Sequence, residues 1–200
     1  MSEERPLWLV IPTATRRQYI PDIIVESGIE RNHIVIVHTV NDNEPYYDVN
    51  NIYDTGEVNI HRWWNKGIDF ALGRGARYVA VLNDDVRIAG DPLNKIANAM
   101  ASVEAPLGYP FPFEGHVCGY CWVLDLASDV RPDEKYRWWY GDRDLDIQAR
   151  RAGGVAHVPA MVRHIHGNEL TRDNPELMKL TEADEDYFFE KWKDVIKKAE

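Results

Sequence analysis

The chain has 200 residues, which is enough for one domain with a substantial core and tight for two. Apolar residues make up 44% and charged residues 28%, a balance that excludes disorder, collagen-like repeats or coiled coil as the main architecture. With 23 basic and 33 acidic residues the formal net charge is -10. This argues against bulk electrostatic binding to nucleic acid or anionic membranes, although a local basic groove is not excluded.

The sequence contains no run of 18 apolar residues, so we expect no membrane span and no membrane partner. Residues 1–13 carry charges of both signs, and their apolar run is broken at Pro12. This is unlike a signal peptide, and we expect a cytoplasmic protein.

Strands and helices alternate over the first half of the chain. Short apolar and β-branched runs predict buried strands at 7–11, 33–38 and 78–82. Apolar spacing predicts helices at 16–27, 65–72 and 92–103. The first of these helices requires Pro21 to lie in its first turn. The polar segment 39–61 is predicted to be a long functional loop with a short strand at 52–53.

The second half is predicted to begin with a loop at 105–115, where prolines and glycines are frequent. Further elements are expected as a strand at 117–126, a helix at 142–151, a strand at 155–165 and a C-terminal helix at 181–198. Thr181 and Asp184 resemble a capping box at the start of that last helix. The alternation predicts an α/β class with a mostly parallel sheet flanked by helices, in a single domain over 1–200.

The two cysteines, Cys118 and Cys121, have the spacing of a redox dithiol. The residues that follow them indicate a strand, whereas a reactive first thiol needs a helix N-terminus to lower its pKa. A structural role is therefore favoured.

Three consecutive polar side chains follow the strand at 78–82, namely Asn83, Asp84 and Asp85. In open α/β sheets ligands bind just beyond the carboxyl ends of strands, and oxygen-bearing side chains there suit a hard divalent cation. A polar turn before the helix at Pro92 explains the same triplet, and both interpretations stay open.

Two further clusters carry candidate chemistry. Asp142, Asp144 and Asp146 open a predicted helix; at least one serves as a cap, and another could act as a general base. His164 and His166 lie two apart near a strand end and are predicted to point to the same face. They could ligate a metal, or they could be polar residues with ordinary hydrogen bonds.

In this order the clusters resemble a small nucleotide-sugar glycosyltransferase of the GT-A type, close to the broad family 2 group. The resemblance covers about residues 7–170. It rests on these segments: VIPT at 10–13, NKGIDFA at 65–71, GARY at 75–78, LNDDV at 82–86, GYCWVL at 119–124, GDRDL at 141–145 with Arg150 and 152–153 behind it, and the histidine pair. It implies a GT-A, Rossmann-like sheet and a nucleoside-diphosphate sugar donor, with UDP as the expected nucleotide.

The resemblance also implies which residues meet the donor. Those expected at the nucleotide are Thr13, Arg16, Asn41, Asp42, Asn65, Asn83 and Asp84. Asp85 corresponds to the metal ligand of the family's D-x-D motif, and Asn83 replaces the first acid. The affinity for a metal should therefore depend on Asp85 and on His164 or His166. The expected cofactor is Mn or Mg, which acts on the leaving diphosphate.

Family 2 enzymes invert the anomeric centre, and a carboxylate takes the proton of the acceptor hydroxyl. Gly141 replaces the first acid of the usual pair, so Asp142 is the expected catalytic base and Asp144 the second choice. Trp138 and Trp139 precede it and could stack on an acceptor, although they could equally belong to the core. Gly119 is expected at the same acceptor site.

Two rival functions differ in the residues that they require. A non-catalytic nucleotide-sugar-binding module should lack the base or the metal ligand, and both are present. A nucleotidyl or phosphoryl transferase should carry a Gly-rich, Lys-bearing loop, and no G-x-x-x-x-G-K-[ST] occurs. The acceptor stays open between DNA with a modified base, a protein and a glycan. A basic track for DNA could come from Arg131, Lys135, Arg137, Arg143, Arg150, Arg151 and Arg163.

Overall fold

The computed structural model describes residues 6–41, 44–111, 116–166 and 169–196. The strands within these residues are β1 (Leu7–Thr13), β2 (Ile34–His38), β3 (Asn50–Tyr53), β4 (Tyr78–Leu82), β5 (Val86–Ala89), β6 (Leu107–Phe111), β7 (Cys121–Asp125), β8 (Val155–Pro159) and β9 (Met161–His164). The helices are α1 (Ile20–Glu26), α2 (Ile60–Leu72), α3 (Pro92–Val103), α4 (Gly141–Ala152), α5 (Glu169–Arg172) and α6 (Pro175–Ile196).

In the described part of the chain, seven strands form one sheet in the order β3-β2-β1-β4-β7-β6-β8. Only β7 among them runs against its neighbours, so the sheet is mostly parallel and the α/β class is confirmed. Because β7 is reversed, its first residue Cys121 pairs with Leu82 at the end of β4. The turn before β7 therefore lies at the edge where β1 and β4 end.

The sheet is covered on both faces, which explains why its strands are apolar throughout. In β1, Leu9 and Ile11 face a cluster that contains α1 and α3. Trp8 and Val10, the alternate residues, face a second cluster that contains α2 and α4. The strand therefore has no solvent face, and its burial pattern is continuous.

Glycine allows α2 to pack directly on β1. A Cβ at Gly67 would lie 2.2 Å from Cγ1 of Val10, closer than any real side chain can come. The helix also begins earlier than the predicted residue 65: Asn59 caps it by accepting a hydrogen bond from the amide of Arg62 at 2.8 Å. This first turn brings His61 and Trp63 to the carboxyl edge of the sheet.

The loop predicted at 105–115 is wrong over its first half, because β6 occupies Leu107–Phe111. The prolines and glycines of this segment favoured the prediction of a loop. Pro110 lies beyond Leu107 and Gly108, the two residues that pair with β7, so its missing amide costs no bond there. Gly108 admits α3, since a Cβ would lie 2.6 Å from Ile96.

The C-terminal helix begins at Pro175, six residues before the prediction, and residues 197–198 of the predicted span lie outside the described residues. Thr181 and Asp184 are interior to α6 and do not cap it. The hydroxyl of Thr181 donates to the carbonyl of Leu177 at 3.0 Å, and the carboxylate of Asp184 accepts the amide hydrogen of Trp138 at 2.7 Å. Among the described residues, no helix has the length and apolar character that crossing a membrane requires.

Candidate active site at the carboxyl edge of the sheet

A cleft of about 410 Å³ lies at the carboxyl edge of the sheet. Thr13 at the end of β1, Thr39 after β2 and Asn83 after β4 line one side of it. The turn before β7 and the start of α4 line the other side. This is the place where α/β sheets bind ligands, and the volume suits a small molecule.

Asp85 lies at the centre of one wall and is almost fully buried. Its carboxylate accepts a hydrogen bond from Arg16 and pairs with Nε2 of His164 at 3.0 Å. Burial alone would raise the pKa of Asp85, but His164 and Arg16 outweigh it, and the pKa is lower than usual. The carboxylate is therefore ionised and held between two basic groups.

A two-stranded ribbon brings these distant residues together. Strands β5 and β9 pair antiparallel, with Val86 opposite His164, and the amide of Ile165 donates to the carbonyl of Asp85 at 3.0 Å. Tyr120 stacks on the imidazole of His164 with ring centroids 4.8 Å apart. The position of His164 is thus fixed by strand register and by ring packing.

Asp84 holds the loop that follows β1. Its carboxylate accepts a hydrogen bond from the hydroxyl of Thr13 at 2.8 Å and one from the amide of Ala14. Burial and the neighbouring charge of Asp85 raise the pKa of Asp84. Thr13, Asn83, Asp84 and Arg16 all line the cleft, as a donor-binding role requires.

Two further donor candidates, Asn65 and Asn41, do not line the cleft. Asn65 donates to the carbonyl of Pro132 at 2.9 Å and to Glu134 at 3.0 Å, and it is not among the described lining residues. Asn41 is exposed and also absent from that lining, and Asp42 lies outside the described residues. The family resemblance predicts all three at the nucleotide, and neither Asn41 nor Asn65 is in the described lining of the cleft.

The strand alternation behind the predicted shared face of His164 and His166 does not reach His166, because β9 ends at His164. The alternation of side chains does not continue past the strand. Nε2 of His166 instead forms a hydrogen bond with the hydroxyl of Tyr19 at 2.9 Å. Of these two histidines, His164 lines the cleft.

Among the described residues, the cleft offers too few side-chain ligands for a preformed metal site. No group of three or more His, Cys, Asp or Glu side chains suited to a metal occurs in the described part of the chain. Asp85 and His164 nevertheless offer adjacent oxygen and nitrogen ligands, and Mg²⁺ or Mn²⁺ commonly takes its other ligands from phosphate and water. Arg16 supplies positive charge at the same carboxylate.

Asp142 faces the cleft from the opposite wall. Its Oδ2 accepts the amide hydrogen of Gly119 at 3.1 Å, and its Oδ1 accepts that of Arg143 at 2.8 Å. Burial raises the pKa of Asp142 in spite of these bonds. Gly119, expected at the acceptor, thus contributes a backbone amide that orients the carboxylate.

A buried histidine that the sequence analysis did not single out supports the start of α4. The Nδ1 of His61 donates to the carbonyl of Tyr136 at 2.9 Å, and burial lowers the pKa of His61 to about 3. A Cβ at Gly141 would lie 1.8 Å from Nε2 of His61, so only glycine fits beside the ring. The glycine next to Asp142 is therefore required by packing.

Asp144, the second choice as base, has a structural role. It is fully buried and accepts hydrogen bonds at 2.7 Å from Nε1 of Trp192 and Nζ of Lys191, at 3.2 Å from the hydroxyl of Tyr136 and at 2.5 Å from Gln148. These bonds fasten α6 to α4. Asp142 is left as the carboxylate of this cluster that lines the cleft.

The two cysteines lie in different environments. Cys118 lines the cleft, whereas Cys121 is fully buried within β7, and burial raises the pKa of its thiol. Both thiols are free of disulfides. A buried thiol with a raised pKa is a poor nucleophile, which agrees with the structural role favoured for this residue.

Solved structures share this fold. The chain superposes on Staphylococcus aureus TarS, a glycosyltransferase, with a TM-score of 0.60 and 11% identity, over 88% of this chain and 38% of that one. The structure of S. aureus TarS 1–349 gives a TM-score of 0.62 and 10% identity, over 88% of this chain and 64% of that one. The chain therefore spans less than two thirds of either TarS chain.

A third structure matches nearly end to end. It is a protein from Desulfovibrio desulfuricans G20 assigned as a nucleotide-diphospho-sugar transferase, with a TM-score of 0.57 and 12% identity over 92% of this chain and 98% of that one. No protein-family model and no curated protein matches the sequence. The fold is that of the GT-A-like nucleotide-diphospho-sugar transferases.

Proposed function

We propose that this protein is an inverting, metal-dependent glycosyltransferase that moves a sugar from a nucleoside diphosphate, UDP by the sequence resemblance, to an acceptor hydroxyl. The observation that carries the proposal is the composition of the cleft. One wall holds Asp85 between Arg16 and His164, and the opposite wall holds Asp142 with a raised pKa. Diphosphate binding and proton abstraction are the two tasks that sugar transfer requires.

On the donor side, Asp85 and His164 would hold Mn²⁺ or Mg²⁺ together with oxygens of the diphosphate. When bound, the ion supplies Lewis-acid stabilisation of the charge that develops on the leaving diphosphate. Arg16 lies at the same carboxylate and can turn its guanidinium to a phosphate, where bidentate hydrogen bonds are favourable. Thr13 and Asn83 contribute hydroxyl and amide groups at the same wall.

On the acceptor side, Asp142 takes the proton of the attacking hydroxyl. The acceptor oxygen forms a bond to the anomeric carbon while the bond from that carbon to the diphosphate oxygen breaks, and the electron pair leaves with the diphosphate. A single displacement inverts the anomeric centre. The raised pKa makes Asp142 a better base than an ordinary carboxylate, as long as the pH exceeds that pKa.

The acceptor of the proposed enzyme is a DNA base, a protein or a glycan. Several of the cations counted for a DNA track are engaged by acids: Arg131 with Asp69, Arg137 with Glu57 and Arg150 with Asp146. Ion-paired cations contribute less to binding a polyanion. A neutral acceptor group is therefore the better fit to this surface.

The test is a panel of nucleotide sugars with Mn²⁺, measured by thermal unfolding and by release of the nucleoside diphosphate. A true donor present at 100 times its Kd should raise the free energy of unfolding by about 2.7 kcal/mol. If no nucleotide sugar shifts the unfolding and none is hydrolysed, the proposal is wrong.

Two variants test the roles of the two walls of the cleft separately. Asp85→Ala should weaken donor binding at least tenfold, whereas Asp142→Asn should retain donor binding and lose transfer. Asp69→Ala is the matched control, since its carboxylate is exposed and remote from the lining. Equal donor affinity in wild type and Asp85→Ala would contradict the assigned role of Asp85.

A further inference from the structure

Two adjacent tryptophans, Trp138 and Trp139, line the cleft next to the start of α4. Both indole N–H groups donate to a single acceptor, the hydroxyl oxygen of Thr171, at 2.8 and 3.2 Å. Thr171 is buried and belongs to the short helix α5, which contacts α6. The polar edges of both rings are thus satisfied inside the protein, while both side chains remain partly exposed.

The backbone beneath the two rings is fixed by a second residue of the C-terminal helices. Asp184 of α6 is 2% exposed, and its carboxylate accepts the amide hydrogens of Arg137 at 2.9 Å, Trp138 at 2.7 Å and Trp139 at 2.8 Å. Three backbone donors on one carboxylate hold three consecutive residues in place. A buried acid in the middle of a helix would be costly without them.

The same segment leads directly to the proposed base. Tyr140 adopts a left-handed conformation with φ of 63° and precedes Gly141, the first residue of α4. Its ring packs against Phe188 of α6 with centroids 5.2 Å apart. The C-terminal helices therefore hold the segment from Trp138 to Tyr140, which leads into the helix that carries Asp142.

We propose that Thr171 and Asp184 are positioning residues that hold Trp138 and Trp139 as a stacking platform for a pyranose ring of the acceptor, beside Asp142. The proposal rests on the proposed transferase function for the identity of the group that attacks. The platform itself is a binding site that can be measured without any donor.

The chemistry of the cleft favours a sugar ring over a nucleobase in a polynucleotide. Indole faces stack on the C–H face of a pyranose, and their N–H groups are already used by Thr171. A phosphate backbone would need free cations beside the tryptophans, whereas Arg131, Arg137 and Arg150 are already paired with acids. A neutral sugar ring needs no such cations.

Binding of methyl pyranosides, measured by ligand-observed NMR without donor, tests the platform. Thr171→Val keeps the shape of the side chain and removes the acceptor for both indoles, whereas Thr171→Ser keeps it. We expect Thr171→Val to weaken pyranoside binding at least tenfold and Thr171→Ser to stay within twofold of wild type. Trp139→Ala should lose binding as Thr171→Val does.

Asp184→Asn provides a second, independent variant, with the exposed Asp186→Asn on the same helix as its control. The amide of asparagine turns a donor towards the backbone amides, so we expect a tenfold weaker affinity for the pyranoside. The KM for a pyranoside acceptor should rise by a similar factor, while the Kd for the nucleotide-sugar donor stays within twofold. A purely structural defect would weaken donor binding and acceptor binding together.

Each outcome decides one proposal. If no pyranoside binds wild type, if nucleosides bind and pyranosides do not, or if Thr171→Val and Thr171→Ser bind equally well, the platform proposal is overturned. If pyranosides bind as expected but no nucleotide sugar is hydrolysed, the platform proposal stands and the transferase proposal fails.

Discussion

His61 shows how one side chain can define both a packing constraint and a charge state. Its ring lies against Gly141 and donates one hydrogen bond to the backbone, so it is buried as a neutral imidazole whose Nε2 can only accept. A charged imidazole in that position would face desolvation without a counter-ion in contact. The residue therefore links the stability of the cleft to pH.

Acid should destabilise the protein through His61. Its pKa is about 3 when folded and about 6.5 when unfolded, so the unfolded state binds the extra proton and stability falls as pH drops through this window. Between pH 7 and pH 5 the loss from this residue is about 2 kcal/mol. Urea unfolding of wild type and His61→Gln at both pH values measures it. A stability difference between them that does not change with pH would contradict this account.

The buried carboxylate of Asp142, which the proposed catalysis requires, should lower the stability of the folded protein at high pH. Its folded pKa is raised, so its favourable contribution is present at low pH and is lost as pH rises through that pKa. Asp142→Asn should therefore gain stability relative to wild type as pH rises, while transfer is abolished. Thermal unfolding from pH 4 to pH 8 checks this, with Asp69→Asn as the control. A constant difference across the range would show that Asp142 is not desolvated.

At this scale the sequence could predict residues whose role follows from local context. Asp85 and Asp142 come directly after a strand and at a helix start, which are positions that a pattern can identify. Thr171, Asp184 and His61 act on residues 32 to 75 positions away in sequence. No local pattern reports such contacts, and Asp184 even resembled a helix cap.

Helix α2 owes its place on the sheet to the absence of one side chain. Gly67→Ala should force the helix away from Val10 and cost about 1–3 kcal/mol, as overpacking does. Gly73→Ala is the matched control, because it ends the same helix with φ of -61° and its nearest atom lies at an ordinary 3.4 Å. Chemical denaturation of both variants gives the comparison. Equal stabilities would mean that α2 can shift without cost.

Helix α6 depends on Asp144 for its attachment. Asp144→Ala would leave Trp192 and Tyr136 without their common acceptor, whereas Lys191 would keep its bond to Asp133. An unpaired buried donor costs about 1–3 kcal/mol, so we expect a loss of that size for each of the two aromatic side chains. Asp186→Ala, exposed on α6, should change stability by less than about 0.5 kcal/mol. Denaturation curves with near-UV circular dichroism of the tryptophans measure both. An effect of Asp144→Ala no larger than that of Asp186→Ala would show that α6 is held by apolar contacts alone.

The bounds of an element were predictable where the spacing of apolar residues agrees with the positions of the flanking proline and glycine residues. β4 and α3 have the predicted limits. The prediction failed at β6, where the neighbouring strands rather than propensity decide the conformation of Pro110. It was also late at α6, because Thr181 and Asp184 resembled a capping box although Leu177, Met178 and Leu180 precede them in the helix.

On the scale of the whole molecule, several of the acidic residues behind the net charge of -10 are paired with basic residues. Asp54 pairs with Arg62 and Lys66, Asp133 pairs with Lys191, and Asp85 pairs with Arg16. These acids build structure, so the net charge says little about a binding surface by itself. The class of fold followed from the alternation of elements, whereas the strand order and the reversed direction of β7 depend on tertiary pairing that one sequence does not display.

The ribbon that joins Asp85 to His164 has a consequence for the order of events during synthesis. All seven strands of the main sheet lie before residue 160, whereas His164, Thr171 and Asp184 follow it. A chain emerging from the ribosome can therefore pair its sheet before it possesses either wall of the cleft in finished form. A chain truncated before His164 would therefore contain the strands of the main sheet but lack the histidine that contacts Asp85 and the two residues that hold the tryptophans.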